Sequence, residues 1–213
     1  NAQYIYKLIS QMNFKHNTTE IKGISRLASA IASDDLRKVK HEIEACLNSF
    51  DPEKTYETIL QSYLFCGFPA VIESLRIFNE LSKGFKKVSE EYDTVKFLNR
   101  GEKNCRAIYR TNFDKLLLNM EILSPDLKQW MIIEGYGKVM GRSGLNLLER
   151  EFVNVSILCT RYYENQLYAH IKGCINNGAA DSEVEEVIKY LEGIASHRNI
   201  EKSIEVLYSI RNK

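Results

Sequence analysis

The residues most able to do chemistry in this chain are Glu151 and His170, both in its later half. A carboxylate beside an imidazole is the minimum equipment for taking a proton from a small molecule and returning it. Each residue stands in a stretch of helical type, so we expect two neighbouring helices to bring the side chains together. The pair predicts a proton-transfer site in which Glu151 and His170 are the catalytic residues.

Four further residues are predicted to bind the substrate of such a site. Gln166, His170 and Cys174 follow one another at four-residue steps, which places them on one stripe of a helix. Tyr163 lies close to the start of the same helix, and Phe68 lies in a glycine–proline turn of the first half. We therefore expect Tyr163, Gln166, Phe68 and Cys174 to line the pocket.

Each of these residues also has a purely structural interpretation, and the sequence leaves both open. Cys174 beside an imidazole is placed to form a reactive thiolate, so a redox enzyme that uses Cys174 or Cys159 alone is one hypothesis. The alternative is that Cys174 is a small buried apolar residue and His170 a hydrogen-bonded core residue. For Glu151, the structural interpretation is an exposed or salt-bridged position.

The sequence predicts neither a metal site nor a cofactor. The four histidines are scattered, and the five cysteines are odd in number with no Cys-x-x-Cys pair. Structural and catalytic zinc sites need more ligands than a single His-x-x-x-Cys pair provides. Glycine-rich phosphate loops and a nucleophile-elbow serine are also missing from the sequence.

Charge and hydropathy favour a small-molecule partner. The 213 residues include 29 basic and 28 acidic side chains, spread along the chain. This balance gives no electrostatic footprint for nucleic acid or an anionic membrane. No uninterrupted apolar run reaches the ~20 residues that cross a bilayer. We expect a soluble, cytoplasmic protein with free thiols.

Helix-start signals dominate the chain, whereas strand-like alternation is scarce, so the predicted fold is all-α. The three prolines all stand where a helix can begin: Pro52, Pro69 and Pro125. Asp51-Pro52-Glu53 and Asp181-Ser182-Glu183 are typical helix starts. Another helix is predicted from Ser124-Pro125-Asp126 until Gly135-Tyr136-Gly137 interrupts it.

The two ends of the chain resemble each other. When His41 is aligned with His170, Asn48 meets Asn177 and Glu57 meets Glu186. We interpret this as one all-α domain, 1–213, with copy one at 22–81, a charged and irregular helical connector at 82–145 and copy two at 146–211. Chance matching is the alternative, because amphipathic helices share their periodicity.

Two stretches carry a resemblance to a known family: Gln61-Ser62-Tyr63-Leu64-Phe65-Cys66-Gly67-Phe68-Pro69-Ala70, and Arg150-Glu151 through Gln166-Leu167-x-x-His170 to Asn177-Gly178. In order and spacing they resemble the carboxymuconolactone decarboxylase family, which includes the alkylhydroperoxidase D proteins. The resemblance implies an alkylhydroperoxidase D-like helical bundle, here built from two tandem copies. It also implies a homo-oligomer with a small-molecule site between helices.

Departures from the family pattern narrow the expected activity. In the peroxidase branch a Cys-x-x-Cys pair occupies the places of Tyr163 and Gln166, and neither residue can attack a peroxide or resolve a sulfenic acid. A dithiol alkylhydroperoxidase is therefore disfavoured. The resemblance then implies a divergent decarboxylase-like protein that binds, and as an extension decarboxylates, a small organic acid or lactone. Copy one lacks an acid after Arg26, so a composite site and a non-catalytic oligomeric scaffold or ligand-binding module both stay open.

Overall fold

The computed structural model describes His16 and residues 18–211. The α-helices are α1 Thr18–Ala32, α2 Leu36–Leu47, α3 Pro52–Leu81, α4 Thr94–Tyr109, α5 Phe113–Leu123, α6 Pro125–Trp130, α7 Leu147–Arg161, α8 Glu164–Asn176, α9 Asp181–Tyr190 and α10 His197–Arg211. A 3-10 turn, Arg110–Asn112, joins α4 to α5, and a π-helix, Met131–Val139, follows α6. The described residues form no β-strand, which confirms the all-α fold class.

The centre of the bundle is α7, which packs against α1, α3 and α8. Every residue of α7 from Leu148 to Cys159 is buried, as expected for a helix surrounded on all sides by other helices. Its first turn is fixed by a capping box: the Asn146 side chain accepts from the Glu149 N–H, and Glu149 accepts from the Asn146 N–H. The carboxylate, amide and guanidinium groups of α7 are therefore held inside the protein.

The helix bounds of the two ends correspond at the offset that separates His41 from His170. At that offset the start and end of α1 fall on those of α7, the end of α2 falls on the end of α8, and Pro52 of α3 falls on Asp181 of α9. This agreement supports the interpretation as two copies. The duplication itself stays a prediction.

The first half ends in the long helix α3, which is kinked in its middle. Gly67 adopts φ +78° and ψ 174°, outside the helical region and suited to glycine, and Pro69 then starts the second segment. Among the described helices, α3 alone is long and apolar enough to cross a membrane, although a buried core helix can pass the same test. Its 18-residue apolar window is 33% buried in the bundle.

The connector differs from the expectation in one respect: the glycines at 135 and 137 do not interrupt the helix. Residues 131–139 continue α6 as a π-helix, and α4 lies against it. A Cβ at Gly137 would lie 2.0 Å from the backbone oxygen of Phe97, and one at Gly101 would lie 2.1 Å from that of Ile132. The missing Cβ at Gly137 allows backbone-to-backbone contact here, so the predicted interruption was wrong.

This packing makes a matched pair of substitutions informative. Gly137→Ala forces a methyl group against backbone, which cannot rotate away, and we expect a loss of about 1–3 kcal/mol in the free energy of unfolding. Gly135→Ala in the same π-helix meets no atom within 4 Å, so it serves as the control. Urea unfolding measures both variants. Equal stabilities would show that the π-helix does not depend on this contact.

Candidate functional site

Glu151 of α7 and His170 of α8 form a buried hydrogen-bonded pair. His170 Nδ1 lies 2.9 Å from Glu151 Oε2. Glu151 is 0% exposed and His170 is 6% exposed. Gly173 makes the arrangement possible, because a Cβ at that position would lie 2.0 Å from Glu151 Oε2. The structure therefore brings the two predicted catalytic residues together.

A cleft of about 1130 Å³ opens beside this pair. His170 lines it, whereas Glu151 does not and stands behind the imidazole. The rings of Phe65 and His170 pack in a T-shaped arrangement with a centroid distance of 6.0 Å. Since Nδ1 is turned towards Glu151, we infer that Nε2 is the ring nitrogen that faces the cleft.

A chain of hydrogen bonds sets which His170 nitrogen carries a proton. The guanidinium of Arg150 can only donate, so its 2.9 Å contact fixes Gln61 Oε1 as the acceptor. Gln61 Nε2 then donates to Asn154 Oδ1 at 2.8 Å, and the Asn154 amide nitrogen donates to Glu151 Oε1 at 3.3 Å. Because an ionised carboxylate can only accept, His170 donates from Nδ1 to Glu151, and the neutral form of the imidazole then has its lone pair at Nε2.

Arg150 is fully buried and is neutralised by Glu57. Arg150 Nη2 lies 3.0 Å from Glu57 Oε2, and Arg142 also donates to this carboxylate. Burial lowers the pKa of Arg150, and the charge of Glu57 acts against that shift. Glu57 is thus placed to hold a structural ion pair, away from the cleft lining.

The matching positions of copy one hold no such pair. At the offset between the copies, Glu151 corresponds to Lys22 and His170 to His41, and His41 is exposed. The first half instead supplies Gln61 to the network of the second half. The arrangement is therefore composite, with the acid and imidazole from α7 and α8 and their support from α3.

The predicted substrate-binding residues separate into two groups. Gln166 lines the cleft. Phe68, Tyr163 and Cys174 lie outside its lining: Phe68 is 67% exposed, Tyr163 is 55% exposed, and Cys174 is buried in the apolar core. Phe68 reaches the cleft only indirectly, because its ring stacks at 5.1 Å on Tyr63, which does line it.

Two tyrosines that sequence reasoning missed supply a hydrogen-bond donor to the cleft. Tyr136 donates its hydroxyl to that of Tyr109 at 2.9 Å, and both residues line the cleft. Burial raises the pKa of both hydroxyl groups, which keeps them protonated. The hydroxyl hydrogen of Tyr109 has no acceptor among the described residues, so it is available to a ligand oxygen.

Thiol chemistry and metal chemistry are less well supported. Burial raises the pKa of Cys159 to about 11, and it raises that of Cys174 well above the ordinary range, with Glu151 adding to the effect. Neither thiol has the lowered pKa that a nucleophilic cysteine needs. Within the described residues, no group of three or more His, Cys, Asp or Glu side chains is placed to hold a metal ion.

Comparisons with known proteins give distant similarities. No family model matches the chain. It is 28% identical over 87 residues to 4-carboxymuconolactone decarboxylase of Acinetobacter baylyi, which covers 41% of this chain and 65% of that protein. It is 28% identical over 138 residues to peroxisomal protein 2 of Schizosaccharomyces pombe, which covers 62% of this chain and 63% of that protein. The chain spans just under two thirds of the length of these two curated proteins.

The buried ion pair can be tested against its counterpart in copy two. Glu57→Gln leaves the buried Arg150 charge without its carboxylate counter-ion, and we expect a loss of about 3–5 kcal/mol in the free energy of unfolding. Glu186→Gln is the matched control, since Glu186 pairs with Lys22 at a partly exposed site and its loss costs below about 1 kcal/mol. Urea unfolding distinguishes the two. Equal losses of stability in the two variants would contradict the central role of Arg150 in the hydrogen-bond network.

Thiol reactivity has a pH dependence set by burial. Burial raises the pKa of Cys66, the one cysteine that is partly accessible, to about 11 from an ordinary value of 9.0. Because the raised pKa disfavours the thiolate, at pH 8 the folded protein holds about 100-fold less Cys66 thiolate than the unfolded chain. Iodoacetamide labelling followed by mass spectrometry, with and without urea, measures this ratio. Rapid labelling of any folded thiol near pH 7 would favour the single-cysteine redox hypothesis.

Proposed function

We propose that the chain binds a lactone or related carbonyl compound in the cleft and moves a proton on it with His170. The observation that carries this proposal is the 2.9 Å contact between His170 Nδ1 and Glu151 Oε2 at the wall of a cleft. Histidine titrates near neutral pH, so an oriented imidazole can take a proton and return it under ordinary conditions.

The chemistry follows from the direction of the hydrogen bonds. His170 Nε2 accepts a proton from the carbon next to the carbonyl group, the C–H electron pair forms the C=C bond of an enolate, and the π pair of the C=O bond moves onto the oxygen. The negative charge of Glu151 stabilises the imidazolium that forms, without itself taking the proton. Tyr109 donates its hydroxyl to the developing oxyanion. Return of the proton to the same carbon gives exchange, and return to another carbon gives isomerisation.

Decarboxylation uses the same groups in reverse order. When a carboxylate leaves as carbon dioxide, the electron pair of the broken C–C bond stays on the carbon that bore it. The imidazolium of His170 then donates a proton to that carbon. Solvent then reprotonates the imidazole. The distant similarity to 4-carboxymuconolactone decarboxylase supports this reaction as one candidate. The whole activity of that protein remains a proposal for this chain.

The test compares two variants of the acid–base pair, and one control, in two assays. Proton transfer is followed by NMR as deuterium exchange next to the carbonyl of a lactone, and decarboxylation as carbon dioxide release from 4-carboxymuconolactone. His170→Gln and Glu151→Gln should each lower a measured rate by about 10²–10⁴-fold, the usual contribution of general acid–base catalysis. His197→Gln is the control, because the His197 side chain is 77% exposed and pairs only with Glu201 among the described contacts.

Circular dichroism must show that both variants fold. Unchanged rates in folded His170→Gln would reject the catalytic role. If the parent chain itself gives neither reaction but binds lactones, the ligand-binding module of the alternative hypothesis replaces the enzyme.

A further inference from the structure

One wall of the cleft is built by the connector, 82–145. It is contributed by α5, α6 and the π-helix, and its apolar members include Leu116, Met120, Leu127, Trp130 and Met131. Two of them are solvent-exposed: Leu127 at 46% and Trp130 at 60%. An apolar surface of this kind, facing a few polar groups around His170, is typical of a small-molecule site.

Charge distinguishes between ligands for this cleft. Its lining contains no lysine or arginine among the described residues, and its one carboxylate is Glu134. Although burial opposes it, hydrogen bonds from Lys138 and Tyr92 lower the pKa of Glu134, so this group stays negative. Glu151 adds a second negative charge behind His170. A carboxylate ligand would therefore lose its hydration without gaining a lysine or arginine partner.

The size of the cleft also distinguishes between ligands. The volume of about 1130 Å³ lies just above the range of about 300–1000 Å³ that is usual for pockets of drug-sized ligands. A short lactone would fill only the end near His170. The remaining apolar wall would then stay in contact with water, and the binding energy available from burying it would be unused.

We propose that the substrate is an uncharged, elongated molecule, with a carbonyl group at His170 and an apolar chain along the connector wall. This inference rests on the proposed function for the placement of the carbonyl. It narrows the expected reaction to proton transfer, because an uncharged ligand without a carboxylate has no carbon dioxide to lose. A neutral ligand and imidazole become an enolate and an imidazolium beside Glu151, whereas a carboxylate ligand would add a charge.

The chain's single tryptophan provides a direct probe, since Trp130 lies in the cleft wall. Trp130 fluorescence is titrated with γ-decalactone, with its ring-opened anion 4-hydroxydecanoate and with γ-butyrolactone. The first two ligands share a carbon skeleton and differ in charge, and the first and third share a ring and differ in chain length. We expect γ-decalactone to bind at least about tenfold more tightly than either of the others. Equal or tighter binding of the anion, or of the short lactone, would overturn the proposal.

A pair of matched variants tests the charge argument. Gln166→Arg places a cation in the lining, so we expect the anion to gain affinity by about tenfold or more relative to γ-decalactone. Gln129→Arg is the control: it makes the same change on α6, at an exposed residue outside the lining, and should leave the preference unaltered. A similar shift in both variants would mean that charge in the cleft does not select the ligand.

Binding and catalysis fail separately in this design. His170→Gln that binds γ-decalactone without exchanging its protons supports both proposals. Tight γ-decalactone binding by a parent chain without exchange activity would retain the ligand class and remove the catalytic function. If γ-decalactone does not bind, and Trp130→Glu converts an oligomer to a monomer, a second copy of the chain covers the cleft and the ligand proposal is rejected.

Discussion

The buried guanidinium of Arg150 is the constraint on which the rest of the site depends. An isolated charge in the protein interior costs several kcal/mol, so it must be matched by acceptors that cannot move away. Glu57 and Gln61 of α3 supply side-chain acceptors, and the carbonyl oxygens of Arg142 and Ser143 supply backbone ones. The requirement to satisfy one cation thereby fixes α3 against α7 and the start of α7 against the preceding loop.

The same cation gives the network its direction. Arginine remains protonated at any ordinary pH and has no acceptor, so the orientation of Gln61 and then of Asn154 cannot reverse. The backbone carbonyl of Arg150, which accepts from Gln61 Nε2 at 2.7 Å, holds the amide in the same orientation. Arg150 thus orients Gln61 and Asn154 although it touches neither the imidazole nor the cleft. Gln61 of the first half and Asn154 of the second are therefore oriented together.

The sequence predicts the acid–base pair and most of the helices, because those features are local. Asp51 and Ser124 mark helix starts through contacts within one turn, and the 19-residue spacing of Glu151 and His170 reflects two consecutive helices. Gln61 lies within the family-like stretch, and Asn154 lies three residues after Glu151 on the same helix face. Their roles depend on a hydrogen bond between residues that are 93 positions apart in the sequence, which no local pattern encodes.

In the connector the local sequence predicts the wrong structure, because tertiary contacts determine whether the helix continues. Glycines at 135 and 137 usually end a helix, yet α4 holds this segment helical: Arg100 donates to the carbonyl of Gly137 at 2.7 Å, and Asn104 donates to that of Tyr136 at 3.0 Å. These side chains satisfy carbonyl groups along the irregular segment, which offsets the weak helix propensity of glycine. Because α4 also carries Tyr109, a change in the connector would alter the cleft wall and the position of that hydroxyl together. The imidazole and its carboxylate stand on α7 and α8, whereas α5 and α6 line the cleft and pack mainly on the rest of the connector. Ligand choice can therefore change through α5 and α6 without loss of the acid–base pair.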